Sequence, residues 1–156
     1  MVRAFVALGS NLGDRESNLR AAIGRLRGLP DTEVKAVSTL RNTEPVGVID
    51  QPRFLNGAVE LETGLGPRAL LDALFELERA FGRDRLSAAP QGPRTLDLDL
   101  LLYGDAVIEE PGLVIPHPRL HERLFVVEPL ADLDPRLEVP GRGSVEALLA
   151  ELNSKA

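Results

Sequence analysis

Asp97 and Asp99 stand one residue apart in the run Leu96-Asp97-Leu98-Asp99-Leu100-Leu101-Leu102-Tyr103. Such a leucine-rich run reads as a strand, in which positions i and i+2 face the same side with Cα atoms roughly 7 Å apart. Two carboxylates that close can converge on a pair of divalent cations, which in two-metal sites sit about 4 Å apart. Leu96, Leu98, Leu100 and Leu102 are then expected to bury the opposite face. The ordinary alternative is a half-exposed edge strand with two solvated aspartates. Against it, Asp is a poor strand residue, and two on one face repel each other until a cation compensates.

Arginines surround the pair in sequence. Arg94 stands just before it, and Arg83 and Arg85 belong to the polar stretch 83–95 that leads into it. An acid pair beside an arginine-bearing loop is what a metal-bound polyphosphate requires. Mg²⁺ suits such a site, because it takes a few carboxylates together with phosphate oxygens and water. Gly9 to Gly13 lacks the Gly-Lys-Ser/Thr ending of a P-loop, and no protein-kinase signature occurs. Catalysis would then rest on charge stabilisation and in-line positioning.

The bulk composition narrows the field further. There are 156 residues, which fits one domain over 1–156 with a single core. The absence of Cys excludes disulfides and thiolate metal sites, so a metal must be held by oxygen or by His117 and His121. The net charge of -6 argues against a nucleic-acid partner. No apolar run reaches a membrane span and no signal peptide is evident, so a soluble cytoplasmic monomer is expected.

The elements that must position these residues can be read in chain order. Val2 to Leu8 reads as a buried strand. Asp14 caps a helix whose Leu19, Ala22, Ile23 and Leu26 fall at helical spacing, ended by Gly28 and Pro30. A second strand is expected over 33–41, a loop over 43–53, and a third strand over Phe54 to Thr63 with Leu55, Val59 and Leu61 on one face. Pro67 opens a helix with the stripe Leu70, Leu74, Leu77 and Phe81, and Gly82 ends it. The polar segment 83–95 is expected to be a long loop, and Leu96 to Tyr103 a fourth strand. The order β-α-β-β-α-β predicts an α+β fold of ferredoxin-like topology with a mainly antiparallel sheet. A short strand near Val107, a helix over 125–133 and a last helix from Ser144 form an additional C-terminal segment. From these residues alone, an ordinary phosphotransferase or a metal-dependent phosphohydrolase stays open. A non-catalytic binding domain of the same fold also stays open, although Asp97, Asp99 and Arg94 together speak against it.

Gly92-Pro93-Arg94-Thr95-Leu96-Asp97-Leu98-Asp99 resembles the signature of the 6-hydroxymethyl-7,8-dihydropterin pyrophosphokinase family. The similarity extends over nearly the whole chain. Ala7 to Leu12 is similar to the family's first strand and turn, Asp50 to Asn56 to its third-strand entry, and Pro116-His117 with Arg123-x-Phe125 to its C-terminal site segment.

The resemblance implies transfer of diphosphate from ATP to a pterin alcohol in folate biosynthesis. It implies that Asp97 and Asp99 bind two Mg²⁺ ions, with Arg83 and Arg94 on the phosphates and His117 and Arg123 on ATP. On the pterin side it implies a hydrogen bond from Asn56, walls made by Phe54 and Phe125, and backbone contacts from Thr43 and Val46. Glu78 is implied to lie near the site; apart from the family it reads as one end of a salt bridge or as a solvated helix face. His121 reads as surface. The chain departs from the family pattern at Pro90, where a basic residue is usual, at Pro118 and at Phe54. Arg85 is the nearest residue to supply the charge that Pro90 lacks, and is assigned to ATP.

Overall fold

The computed structural model describes residues 1–44, 51–82 and 95–155. The chain runs β1 (Val2–Ser10), α1 (Arg15–Arg27), β2 (Thr32–Val37), β3 (Arg41–Thr43), β4 (Phe54–Thr63), α2 (Pro67–Ala80) and β5 (Asp97–Tyr103). It continues through the hairpin β6 (Ile108–Glu110) and β7 (Leu113–Ile115), a 3₁₀ turn at Leu120–Glu122, and α3 (Leu124–Leu133). The ribbon β8 (Glu138–Val139) and β9 (Gly143–Ser144) and the helix α4 (Val145–Ser154) complete it. The main sheet has the order β2-β4-β1-β5, with β3 paired to β4 beyond the end of β2. Its pairings are antiparallel. This is the split β-α-β-β-α-β arrangement expected from the sequence.

Local chemistry accounts for the elements. The Asp14 carboxylate accepts the Ser17 N–H at 3.1 Å and caps α1, and the Ser144 hydroxyl accepts the Ala147 N–H at 3.2 Å and caps α4. Gly82, at φ +90°, follows α2 in a conformation that a side chain would resist.

Apolar residues split between the two sheet faces. Leu8 on β1, Leu55, Val59 and Leu61 on β4, and Leu96, Leu98 and Leu100 pack with Leu19 and Leu26 of α1 and Leu70, Leu74 and Leu77 of α2. The opposite face sets Phe5, Ala58, Leu101 and Leu102 against Val126, Val127 and Leu130 of α3 and Val145 and Leu148 of α4.

Three expectations need correction. The strand expected over 33–41 is interrupted at residues 38–40. There the Ser38 hydroxyl takes the Ala58 N–H at 2.8 Å, and Leu40 crosses the space left by the missing Cβ of Gly57. Thr43, expected in the following loop, is paired in β3. The alternation expected along β5 also fails at one end. The register shifts between Phe5 and Val6, so Leu101 is an inserted residue, and Leu102 lies on the α3 face rather than with Leu96, Leu98 and Leu100.

Candidate active site

Asp97 and Asp99 are both half-buried, while Leu96, Leu98 and Leu100 between and beside them are buried. The alternation therefore turns the two carboxylates to one face. Register extends that face across the sheet: Gly9 stands opposite both Asp97 and Asn56, and Ala7 opposite both Asp99 and Ala58. Small residues on the central strand leave a hollow between the acid pair and Asn56. Ala7, Gly9, Thr43, Glu44, Phe54, Asn56, Asp97, Asp99, Arg123 and Phe125 line this cavity. Thus six of the expected pterin-side and metal-side residues converge: Thr43, Phe54, Asn56, Phe125, Asp97 and Asp99. Val46, Arg83, Arg85, Arg94 and Pro90 lie outside the described residues.

Arg123 enters from the start of α3. Its guanidinium carbon lies 5.6 Å from the centroid of the Phe125 ring, within range for a cation–π contact. Its Nε is buried and has no hydrogen-bond partner among the described residues. A buried donor of this kind lining the same cavity as two carboxylates is a candidate contact for an acceptor entering that cavity.

His117 approaches along the outer edge of β5. Its backbone N–H donates to Leu101 O at 3.0 Å, and its Nδ1 accepts the Arg119 N–H at 3.2 Å. Burial holds the imidazole below its ordinary pKa, the positive charge of Arg123 lowers it further, Asp97 pulls the other way, and Arg119 adds a smaller lowering. A second cavity lies on this side, lined by Leu71, Phe75, Asp99, Leu113, His117 and Pro118 among others. Asp99 borders both cavities.

Glu78 is not on a solvated helix face, the second of its two readings apart from the family. It is 1% exposed, and its carboxylate accepts the Leu98 N–H at 2.8 Å. That N–H belongs to the residue between the two aspartates, on the edge of β5 that pairs with no other strand among the described residues. Sequence held a signal for this, since Glu78 lies four residues after Leu74 on the buried stripe. His121 is half-buried rather than on the surface.

Other positioning contacts had no sequence signal. The Asn11 amide donates to Gln51 Oε1 at 2.8 Å and to Pro52 O at 3.0 Å, joining the β1–α1 turn to the segment before β4. Arg15 donates to Asn42 Oδ1 at 2.7 Å and to Arg53 O at 2.9 Å. Arg41 makes a two-bond ion pair with Asp132, at 2.6 and 2.9 Å, tying β3 to α3.

Comparisons with known proteins bear on the family and the fold. A family model described as 7,8-dihydro-6-hydroxymethylpterin-pyrophosphokinase (HPPK) matches residues 5–135. The chain is 46% identical over 148 residues to a Pseudomonas aeruginosa protein named 2-amino-4-hydroxy-6-hydroxymethyldihydropteridine pyrophosphokinase, covering 95% of this chain and 90% of that one. A Bacillus subtilis protein of the same name is 47% identical over 135 residues, covering 86% and 80%. Among solved structures, an HPPK-DHPS crystal structure in complex with substrates superposes with a TM-score of 0.78 at 12% identity. A Plasmodium falciparum HPPK-DHPS structure with pteroate gives 0.77 at 13%. Each covers 99% of this chain, which spans 44% and 43% of those chains, and at such identity they bear on the fold alone. By sequence, the chain belongs to the 7,8-dihydro-6-hydroxymethylpterin pyrophosphokinase family.

Proposed function

We propose that this chain transfers the terminal diphosphate of ATP to the hydroxymethyl oxygen of 6-hydroxymethyl-7,8-dihydropterin, releasing AMP and the pterin diphosphate, a step of folate biosynthesis. Family membership supports the activity. The observation that carries the two-substrate reading is the place of Asp99 on the border of both cavities. One cavity has aromatic walls and an amide, suited to a flat heteroaromatic ring; the other has His117 and apolar side chains, suited to a nucleotide.

In this reading Phe54 and Phe125 flank the pterin, and Asn56 with the Thr43 and Val46 backbone reads its edge. His117 and Arg123 hold ATP, with Arg83, Arg85 and Arg94 on the phosphates. The hydroxymethyl oxygen attacks the β-phosphorus in line and gives up its proton to solvent, the bond from that phosphorus to the α,β-bridging oxygen breaks, and AMP leaves. Arginines aimed at the phosphates stabilise the charge that shifts in this step.

Asp97 and Asp99 fit Mg²⁺. They offer only carboxylate oxygens, and no group of three or more His, Cys, Asp or Glu suited to a metal occurs among the described residues. Such a sparse set suits a cation that shares its coordination with phosphate and water. When bound, two Mg²⁺ ions would neutralise phosphate charge at the aspartate pair. Among the described residues no helix is long and apolar enough to cross a membrane. We read the chain as a cytoplasmic, monomeric, single-domain enzyme, and its net charge of -6 supports the reading that nucleic acid is not a partner.

The test is the identity of the nucleotide product. Incubation with ATP, Mg²⁺ and the pterin alcohol should release AMP in step with pterin diphosphate. Release of ADP, or turnover independent of the pterin, would point to an ordinary phosphotransferase or a hydrolase instead.

A further inference from the structure

We propose that Thr43 and Gly9 form a lock on the Asn56 amide, and that the lock, rather than the amide alone, sets affinity at the pterin end of the site. This rests on the reading of Asn56 as a pterin contact.

Asn56 sits on β4 between two strands. On the β3 side, the Thr43 hydroxyl donates to Asn56 Oδ1. Thr43 pairs with Phe54, which makes it the diagonal neighbour of Asn56 on the same face. On the β1 side, Gly9 stands directly opposite. A Cβ on Gly9 would lie 2.6 Å from Asn56 Nδ2 and 3.6 Å from Phe54 Cδ1. The amide is therefore strung across the sheet, oxygen toward β3 and nitrogen toward β1. It occupies space that exists only because residue 9 has no side chain. With Oδ1 engaged by Thr43, the amide offers its Nδ2–H₂ group to the cavity, which fits a ring edge carrying an acceptor such as a lactam oxygen.

The lock is separable from folding. Gly9 is not among the residues of positive φ, so alanine strains no backbone there. The atom its methyl would strike is the far end of a side chain, which can swing away. Gly9→Ala should thus leave a folded protein with a displaced amide. Thr43 is half-buried in a short edge strand, where valine is a good strand former.

Steady-state kinetics with KM resolved for each substrate test the proposal, using Thr43→Val, Thr43→Ser, Gly9→Ala and Asn56→Ala. Thr43→Val should raise KM for the pterin alcohol about fivefold to tenfold, the worth of one hydrogen bond, while KM for ATP stays within about twofold. Thr43→Ser keeps the hydroxyl and should restore the parent value. Gly9→Ala should raise the pterin KM at least as much as Thr43→Val, with thermal stability retained. If Asn56→Ala raises the pterin KM while Thr43→Val and Gly9→Ala do not, the lock is overturned and the pterin reading of Asn56 stands. If Asn56→Ala itself leaves the pterin KM unchanged, that reading fails and the lock fails with it. A Thr43→Ser variant as impaired as Thr43→Val would also overturn the role of the hydroxyl.

Discussion

Replacing Glu78 by alanine tests whether the buried carboxylate holds the strand that carries the aspartate pair. Glu78 and Leu98 are each 1% exposed, and the N–H to carboxylate distance is 2.8 Å. Alanine leaves the Leu98 N–H buried without this acceptor, which costs about 1–3 kcal/mol. It also opens a small cavity against the leucines of α2, adding about 1 kcal/mol or more. One effect opposes these: alanine removes the cost of burying the carboxyl group itself. The orphaned donor should win, because the loss of a buried partner is not offset by solvent. A net loss of about 3 kcal/mol corresponds to a Tm lower by roughly 6–12 °C for a domain of this size. Glu78→Gln keeps a carbonyl acceptor and should remain closer to the parent than the alanine variant by about 1 kcal/mol or more. Thermal unfolding followed by calorimetry, without metal or nucleotide, reads both. A Glu78→Ala protein whose Tm lies within about 2 °C of the parent would refute the reasoning. So would a glutamine variant less stable than the alanine one.

The other predictions concern the two cavities. Asp97→Asn and Asp99→Asn should each nearly abolish turnover in a protein that still folds; full activity of either variant at limiting Mg²⁺ would exclude the metal role. Arg123→Met keeps side-chain length but removes the buried Nε, so it should not destabilise the free protein and should weaken ATP binding about tenfold or more, measured by titration calorimetry. For His117, burial first and then Arg123 depress the folded pKa below the ordinary 6.5. The neutral imidazole's contribution to stability is therefore fully present above that value and is lost as pH falls through it toward the lower folded pKa. His117→Gln should flatten the fall in stability between about pH 7 and pH 5, and an unchanged pH profile in denaturant titrations would contradict this.

How much of this could be read from the sequence depends on how local each cause is. α1 and α2 were legible because their caps and leucine stripes repeat within a few residues. β4 was legible because its alternation is regular. The break between β2 and β3 was not, because it depends on Ser38 meeting Ala58 and Leu40 meeting Gly57, partners distant in the chain. The acid pair was legible as two aspartates one residue apart. The row Asn56–Gly9–Asp97 was not, because strand register alone brings those three together. The burial of Glu78 is legible only from its place on an apolar stripe, against the pull of its charge toward solvent.

Register also explains why the leucines of β5 matter as much as its aspartates. A slip of one residue against β1 would turn Asp97 and Asp99 into the core beneath α1 and α2 and put Leu96, Leu98 and Leu100 into the cavity. Burying two carboxylates in that core would be far more costly than any loss of strand pairing. The three leucines, each 5% exposed or less, therefore hold the register that aims the carboxylates. The Glu78 bond to Leu98 holds the same strand from the edge opposite β1. The bulge at Leu101 lies beyond the pair, between it and the end of the strand, so the irregularity in β5 leaves the spacing of Asp97 and Asp99 intact. Chemistry in this segment is specified by its polar residues, but its direction is specified by the apolar residues that alternate with them.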